Sequence, residues 1–275
     1  MVENSLGIWR MTTVHHIAMR IRSEEQRSAF RAHGFELKGP FASFEIAEGD
    51  PRWGAVSQLL GRFKVIDTLI TRHSDAELDA AAVLGVLAAS PRGYPEPSSD
   101  WGYLSKTFDL TQYCNMCGIG ARQVAPFRLK QAPKLQNSVL QLNWVFDELF
   151  VARSVWREVF EPLGIGFHPI VLHRTGEELG DLVQLDINRA VDVDVDCLKR
   201  FKDCRRCGRR KYWPKYLIGP YPPPLKRDAG IFRSHQYFGD GLQAFNSIYI
   251  SQRLFRDIRR IGLRGLNFHT INTNS

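Results

Sequence analysis

The sequence predicts an α/β (α+β) protein in two parts, a ferredoxin-like unit over residues 1–100 and a second domain over residues 101–275. Three observations lead to this prediction. Strand and helix signals alternate through the first hundred residues. A stretch rich in proline and serine at 91–100 is typical of a connector. Beyond it, two Cys-x-x-Cys-Gly segments each precede a strand–helix–strand pattern, which indicates a duplicated domain.

The first part shows the order β-α-β-β-α-β, which is the ferredoxin-like pattern. Ile17, Met19 and Ile21 alternate as in a half-buried strand. One helix starts at the capping box Ser23-Glu-Glu-Gln26, and another starts at Asp50-Pro51, an N-cap followed by proline. The predicted strands are 17–21, 35–37, 41–47 and 63–71, and the predicted helices are 23–34 and 50–61.

A further helix is predicted after these elements. Ser74-Asp-Ala-Glu77 is another capping box, and the apolar stretch that follows it stops before Pro91. The sequence therefore predicts one helix from Ser74 to the connector at 91–100.

Past the connector, two strand–helix–strand patterns follow each other at an offset of about 100 residues. The first has strands near 149–151 and 167–170, and the second has strands near 248–250 and 268–271. In each helix the apolar residues stand three and four apart, which marks a core-facing side. Further strands are predicted at 182–187 and 191–195, and Tyr221-Pro-Pro-Pro224 is predicted to be a rigid connector, with a recognition role as the alternative.

The two cysteine pairs are Cys114-Asn-Met-Cys117-Gly118 and Cys204-Arg-Arg-Cys207-Gly208. Two intervening residues let both thiolates of a pair point at one ion, and the glycine tolerates the left-handed backbone that turns N–H groups toward sulfur. Cys114, Cys117, Cys204 and Cys207 are therefore predicted to bind one structural Zn²⁺. Two pairs of free or redox-active thiols are the alternative.

Five cysteines with four in pairs favour a reducing compartment over a disulfide-forming one. Cys197, the fifth, is expected to pack as a small apolar residue, with a role as a spare ligand as the alternative. No apolar stretch approaches the roughly 20 residues that a membrane-spanning helix needs. No apolar signal-peptide core follows the start either, so a cytoplasmic protein without membrane contact is expected.

The net charge of +8 is concentrated around the second cysteine pair. Asp203 is the one acid among nine basic residues: Lys199, Arg200, Lys202, Arg205, Arg206, Arg209, Arg210, Lys211 and Lys215. These side chains could balance the −2 charge of four thiolates on a divalent ion. They could also bind an acidic protein partner. A third interpretation is a phosphate-backbone surface, with Tyr212, Trp213 and Tyr216 as stacking faces.

Asp192, Asp194 and Asp196 alternate with valines and are expected to share one face of a strand. A solvated, edge-protecting face is the main interpretation, because carboxylates in register on a strand do not wrap an ion as a loop does. Calcium binding and pairing with the basic residues are the alternatives.

Residues 111–271 resemble the double-CXXCG motif proteins, a paralogous set of myxobacterial type. The resemblance rests on both Cys-x-x-Cys-Gly segments and on the closing pattern Ile250-Ser-Gln252, Gly262-Leu-Arg-Gly265 and Phe268. Some members of that family look like immunity proteins that neutralise a cognate toxin, and the family has no known enzymatic activity. The first hundred residues are not covered by the resemblance.

These observations predict a zinc-stabilised protein-binding module, and on the resemblance an immunity protein whose partner is a bacterial toxin. A zinc-ribbon nucleic-acid-binding protein is the alternative. An enzyme is not expected, because four thiolates leave no open coordination position on zinc. The sequence also contains no supported Ser-His-Asp or Cys-His set and no phosphate-binding glycine loop.

Overall fold

The computed structural model describes residues 12–89, 91–135, 138–196, 198, 200–213, 221–226 and 230–271. Within this part of the chain the protein is a mixed α/β structure in which strands predominate, which confirms the predicted class in its coarse form. The chain forms two compact units that divide between Leu78 and Asp79. Cys197, Lys199, Lys215 and Tyr216, which figure in the sequence-based predictions, lie outside the described residues.

The first unit is a three-stranded antiparallel sheet with helices in its connections. Strand β1 (Thr12–Arg20) lies in the middle and pairs with both β2 (Phe41–Ala47) and β3 (Ile66–Arg72). Helix α1 (Glu24–Arg31) begins at Ser23, whose hydroxyl accepts the backbone N–H of Gln26 at 3.1 Å. Helix α2 (Trp53–Arg62) connects β2 to β3. The alternate residues of β1 that face the helices form the core with Phe30 and Val56.

The complete β-α-β-β-α-β order is not confirmed. Residues 35–37, predicted as a strand, belong to no strand of the described chain. Phe35 and Leu37 are nevertheless buried and Glu36 is exposed. The alternation arises because Phe35 and Leu37 are buried against the helices. Among the described residues, no neighbouring strand pairs with residues 35–37, so they form no ladder hydrogen bonds.

The predicted helix from Ser74 to Pro91 is wrong in its second half. Helix α3 spans only Asp75–Ala80, although its capping box forms, with the Ser74 hydroxyl accepting the Glu77 N–H at 3.3 Å. Strand β4 (Val83–Ala88) follows and pairs on both sides in the second unit. The boundary between the units therefore falls before β4 and not at 91–100.

The second unit contains three sheets in the described residues. The largest has the order β12-β13-β14-β15-β4-β16, with β11 also paired to β14. A four-stranded sheet has the order β7-β9-β10-β8, and β5 pairs with β6. The strands are β5 (Phe108–Asp109), β6 (Arg122–Gln123), β7 (Arg128–Leu129), β8 (Phe150–Ala152), β9 (Gly166–Leu172), β10 (Glu178–Asp186), β11 (Ala190–Val191), β12 (Phe201–Asp203), β13 (Arg210–Tyr212), β14 (Ile231–Phe238), β15 (Phe245–Ser251) and β16 (Leu266–Thr270).

Both predicted strand–helix–strand segments are present. Strand β8 leads into a helical segment of three turns of different pitch, α5 (Arg153–Val155), a π-helical turn (Trp156–Phe160) and a 3₁₀ turn (Glu161–Leu163), and then into β9. Strand β15 leads into α6 (Gln252–Arg260) and then β16. In both cases the two strands flank a third, antiparallel strand, which is β10 in the first and β4 in the second. A short helix, α4 (Tyr103–Thr107), precedes β5.

The Tyr221-Pro-Pro-Pro224 segment is packed within the second unit. Tyr221 is 1% exposed and lies against Gly85 of β4, and the Tyr249 hydroxyl donates to the Pro222 carbonyl at 3.0 Å. Its backbone forms bridges with Ile271 and Val193. This packing agrees with the predicted rigid connector.

In the part of the chain that the structure describes, no helix has both the length and the apolar character needed to cross a bilayer.

Candidate metal centre

Each cysteine pair lies at the tip of a short antiparallel hairpin. Strands β5 and β6 flank the first pair, and β12 and β13 flank the second. In both hairpins the first cysteine donates its backbone N–H to the residue five positions later, Ile119 or Arg209, at 2.9 Å. The glycine after the second cysteine donates its N–H to the carbonyl of the first, at 2.8 Å in one hairpin and 2.9 Å in the other. The same local turn is thus built twice.

The two turns bring all four predicted ligands together. The sulfur atoms of Cys114, Cys117, Cys204 and Cys207 lie within 4.8 Å of one another. Two separations across the hairpins are 3.7 Å, from Cys114 to Cys204 and from Cys117 to Cys207. The predicted sharing of one site by both pairs is therefore geometrically sound, although the sequence separates them by 90 residues.

The residues present fit a tetrahedral metal site. A Zn–S distance of about 2.3 Å gives a sulfur–sulfur separation of roughly 3.8 Å in a tetrahedron, close to the two 3.7 Å separations. All four thiols are free of disulfide bonds, and three of the four cysteines are buried. Ile119, Tyr237 and Ala244 pack around them and limit the access of water. The quartet can hold a metal ion, and its donor set suits a soft or borderline cation.

The local electrostatics differ between the thiols. The Arg209 guanidinium, whose Nε donates to the Cys207 sulfur at 3.3 Å, lowers the pKa of Cys207 to about 6. Hydrogen bonding from the Met116 backbone lowers the pKa of Cys114. Burial raises the pKa of Cys117 to about 12. A bound metal ion would offset this burial and favour the thiolate of Cys117.

Arginines of the basic run connect the two hairpins. Arg209 also donates from Nη2 to the Gln112 carbonyl at 2.8 Å, and Arg206 donates to the Asn115 side chain at 2.6 Å. Arg210 forms a bidentate pair with Asp203, at 2.6 and 2.9 Å. Lys211 is buried and donates to the carbonyls of Gly241 and Gln243. Several side chains of the basic run thus form hydrogen bonds or ion pairs with other groups of the protein.

The row of Asp192, Asp194 and Asp196 does not form a continuous strand face. Strand β11 ends at Val191, and the Asp194 side chain accepts the backbone N–H of Asp196 at 2.9 Å, which turns the chain. Asp192 accepts from Gln236 at 2.9 Å and lies 3.3 Å from His235. These contacts hold Asp192 to β14, not to the arginines around the second cysteine pair.

A second group of polar residues in the same unit was not predicted from the sequence. Asp147, Glu148 and Arg233 are brought together with Gln184 beside a large cavity that also includes Gly118 and Gly120 of the first cysteine hairpin. One signal was available, because Asp147 and Glu148 interrupt an otherwise apolar stretch from Trp144 to Val151. Adjacent carboxylates in such a stretch indicate either a buried ion-pair network or a site.

The two glycines of the cysteine turns provide a matched test of the hairpin packing. Gly118 and Gly208 have φ of +79° and +72°, so an L side chain is strained at either position. A Cβ at Gly118 would also lie 2.0 Å from the Leu242 carbonyl oxygen, whereas one at Gly208 meets nothing within 4 Å.

We expect Gly208→Ala to lower the free energy of unfolding by about 1 kcal/mol, from backbone strain alone. Gly118→Ala should cost on the order of 3 kcal/mol, because overpacking is added to strain. Denaturant unfolding of both variants measures the difference. Equal losses would contradict the packing of the first turn against Leu242.

Comparison with known proteins finds no protein-family model, no curated protein and no solved structure that matches this chain. Membership of the double-CXXCG family therefore stays a prediction from the residues that carry the resemblance. What the chain does has to be inferred from the site itself.

Proposed function

We propose that the protein is a zinc-stabilised protein-binding module, and that it acts as an immunity protein that neutralises a cognate bacterial toxin. The four-thiolate centre is the observation that carries the first half of this proposal. A metal ion with four thiolate ligands has no open position for substrate or water, so its role is to hold the two hairpins together. The toxin partner follows from the resemblance to the double-CXXCG proteins.

The surface next to the centre supports a protein partner. Phe201 is 54% exposed with the Arg210 guanidinium 4.0 Å from its ring centroid, and Trp213 is 44% exposed beneath Arg200 at 5.3 Å. Met116, in the turn of the first pair, is also exposed. Exposed aromatic and arginine side chains are the types that dominate protein–protein binding energy. We call Phe201, Trp213, Arg200 and Arg210 the hairpin patch.

Nucleic-acid binding is the weaker proposal for the same patch. A phosphate surface needs several cationic groups that are available together. Arg206, Arg209 and Lys211 instead donate to groups of the protein, and Arg210 is paired with Asp203. Binding of an acidic protein requires fewer free cationic side chains than binding of nucleic acid, because aromatic contacts at the interface supply much of the binding energy.

An internal duplication would account for the paired construction of this domain. Each half would consist of a cysteine hairpin followed by a strand–helix–strand segment around an antiparallel strand. The likeness of the two turns and of the two three-stranded arrangements supports this proposal. The middle strand of the first half, β10, follows its strand–helix–strand segment in the sequence, whereas that of the second half, β4, precedes it. The two halves would therefore match in their spatial arrangement but differ in the order of the middle strand along the chain.

The decisive experiment measures binding of the purified protein to the product of the toxin gene next to its own. We expect submicromolar affinity for that product and a loss of at least tenfold in Phe201→Ser or Trp213→Ser, because truncation of a buried aromatic anchor typically costs about 2 kcal/mol or more, roughly 30-fold. Tyr94→Ser is the matched control, because Tyr94 is exposed to a similar degree at 47% and lies outside the patch.

A salt titration with mixed-sequence DNA and RNA tests the alternative. We expect weak binding that disappears at moderate salt. A phosphate-binding surface would instead give a slope of log affinity against log salt of about −0.9 per phosphate contacted. Submicromolar nucleic-acid affinity near physiological salt, together with no affinity for the toxin, would replace the proposed function with the alternative.

A further inference from the structure

The second unit contains a cavity of about 970 Å³ that the proposed function does not use. Its walls come from segments far apart in the sequence, including the first cysteine hairpin, the Trp144–Glu148 segment and strands β10 and β14. Ligand sites in proteins typically have volumes of roughly 300–1,000 Å³ and combine apolar walls with a few convergent polar groups. This cavity has both.

One wall of the cavity is aromatic. The indole of Trp144 lies 4.5 Å from that of Trp101 and 6.1 Å from the ring of Tyr103, measured between centroids. Trp101 is 47% exposed, so part of this wall is open to an incoming group. The wall thus offers ring faces that can stack with a flat group or attract a cation.

The backbone at both tryptophans is left-handed, with φ of +57° at Trp101 and +69° at Trp144. Such a conformation costs a bulky residue energy that glycine would avoid. The fold nevertheless places an indole at each position. Both indoles line the cavity, and that of Trp101 is partly exposed.

The polar wall carries more negative than positive charge. Arg233 lies 3.2 Å from Glu148 and 3.9 Å from Asp147, so one guanidinium serves two carboxylates. The second oxygen of Glu148 accepts from Gln184 at 2.8 Å, and Asp147 accepts the Asn246 backbone N–H at 3.0 Å. Gln123 and Gln184 exchange amide hydrogen bonds at 2.8 Å and fix this arrangement.

The other charged groups of the cavity do not remove its excess of negative charge. Asp186 and Asp240 also line it, and Arg122 is paired with Asp109 at 3.0 Å. His168 lies 3.4 Å from Asp186. The side chains of Asp147 and Glu148 are 21% and 12% exposed, and with a single guanidinium they retain one excess negative charge. In such a partly buried position that charge is costly unless a proton or a cation neutralises it.

Two further observations agree with this charge balance. Burial raises the pKa of both Asp147 and Glu148, although Arg233 acts in the opposite direction. Burial also raises the pKa of Tyr103, with a smaller contribution from the charge of Asp147. The two carboxylates and the indoles of Trp101 and Trp144 line the same cavity, so one ligand can meet both.

We propose that this cavity binds a planar organic cation, an amidinium or guanidinium group, whose charge meets Asp147 and Glu148 and whose flat face stacks on the exposed indole of Trp101. A planar cation fits better than an ammonium ion, because it can pair with carboxylates through parallel N–H groups and stack on indole at the same time. The group could belong to a free small molecule or to an arginine side chain of another protein. The inference stands independently of the proposed toxin partner.

The experiment uses the full-length, metal-loaded protein and three probes of equal size: benzamidinium, benzamide and benzoate. We expect benzamidinium to bind at least tenfold more tightly than benzamide, and benzoate to bind least, as measured by calorimetry or ligand-observed NMR. Two capped pentapeptides, Gly-Gly-Arg-Gly-Gly and its citrulline counterpart, distinguish the sources. Binding of the arginine peptide supports a protein side chain as the natural ligand, and binding of benzamidinium alone supports a free molecule.

Variants then locate the site. Glu148→Gln keeps an oxygen for Gln184 and should weaken benzamidinium binding at least tenfold. Glu178→Gln is the matched control, since Glu178 is an exposed ion-paired carboxylate outside the cavity. Trp101→Ala should weaken binding several-fold, and Phe41→Ala, which removes an exposed aromatic side chain outside the cavity, should not. Because Trp101 is half exposed, its variant should fold even if Glu148→Gln does not.

Three outcomes would overturn the proposal. The first is equal affinity for the cationic, neutral and anionic probes. The second is failure of both benzamidinium and the arginine peptide to bind the wild-type protein. The third is undiminished benzamidinium affinity in folded Glu148→Gln and Trp101→Ala proteins.

Discussion

A Cys204→Ser variant is expected to lose its bound zinc and most of the stability of the second unit. Loss of one ligand removes part of the metal-binding free energy, which in such sites contributes directly to folding. It also opens a cross-link between hairpins that are 90 residues apart, and closure of a loop of that length contributes about 4.6 kcal/mol by chain-entropy arguments. Elemental analysis and denaturant unfolding of the variant and the wild type measure both effects.

Cys197→Ser is the control, because it removes the thiol outside the quartet. Wild-type protein should contain one zinc per chain, and this control should retain it. Wild-type protein that is folded without metal, or a Cys204→Ser variant with unchanged zinc content and stability, would contradict the four-thiolate site. Loss of zinc from Cys197→Ser to the same extent would show that the quartet is assigned wrongly.

A Gly85→Ala variant is expected to lose about 3 kcal/mol of unfolding free energy or more, at the upper end of what overpacking costs. A Cβ at this position would lie 2.3 Å from ring atoms of Tyr221. That ring cannot move aside easily, because it stacks on His269 at 5.4 Å and meets Tyr249 edge-on at 5.7 Å. Thermal or denaturant unfolding of the variant measures the loss.

Gly180→Ala is the matched control, because Gly180 also lies in a strand but a methyl group added there would have no neighbour within 4 Å. Its effect should stay within about 0.5 kcal/mol, as for surface substitutions in general. In a double-mutant cycle, Gly85→Ala should cost little when Tyr221 is already alanine. A full additive loss in the double variant would show that the ring does not press on the glycine.

The features that could be predicted from the sequence are those encoded locally. The turn of a Cys-x-x-Cys-Gly segment depends on five consecutive residues. The sequence alone therefore predicts that the two cysteines of each pair lie close together. Helix α6 could be located because its buried residues Leu254, Phe255 and Ile258 stand at helical spacing and Ser251 caps it. The Ser251 hydroxyl accepts the backbone N–H of Leu254.

Features that depend on distant partners could not be predicted in the same way. Strand β4 has neighbours on both sides and an apolar sequence without alternation, and such a segment cannot be distinguished from a buried helix by its period. Residues 35–37 show the opposite error, since their alternation exists without a partner strand. The cavity could not be predicted because Trp101, Glu148 and Arg233 come from three segments that are far apart in the sequence and meet only in the folded chain.

The position of β4 has a consequence for how the chain is synthesised. Leu84 pairs with Ile250 on one side and Thr270 on the other, so both neighbours of β4 are translated long after it. At about 5–20 residues per second, β4 waits on the order of 10–30 seconds on the ribosome before its first neighbour emerges. During that time its backbone N–H and C=O groups have no partner strand, and together with its apolar side chains they are open to wrong pairing. We therefore expect the yield of folded protein to depend on translation rate and on chaperones more strongly than its final stability suggests.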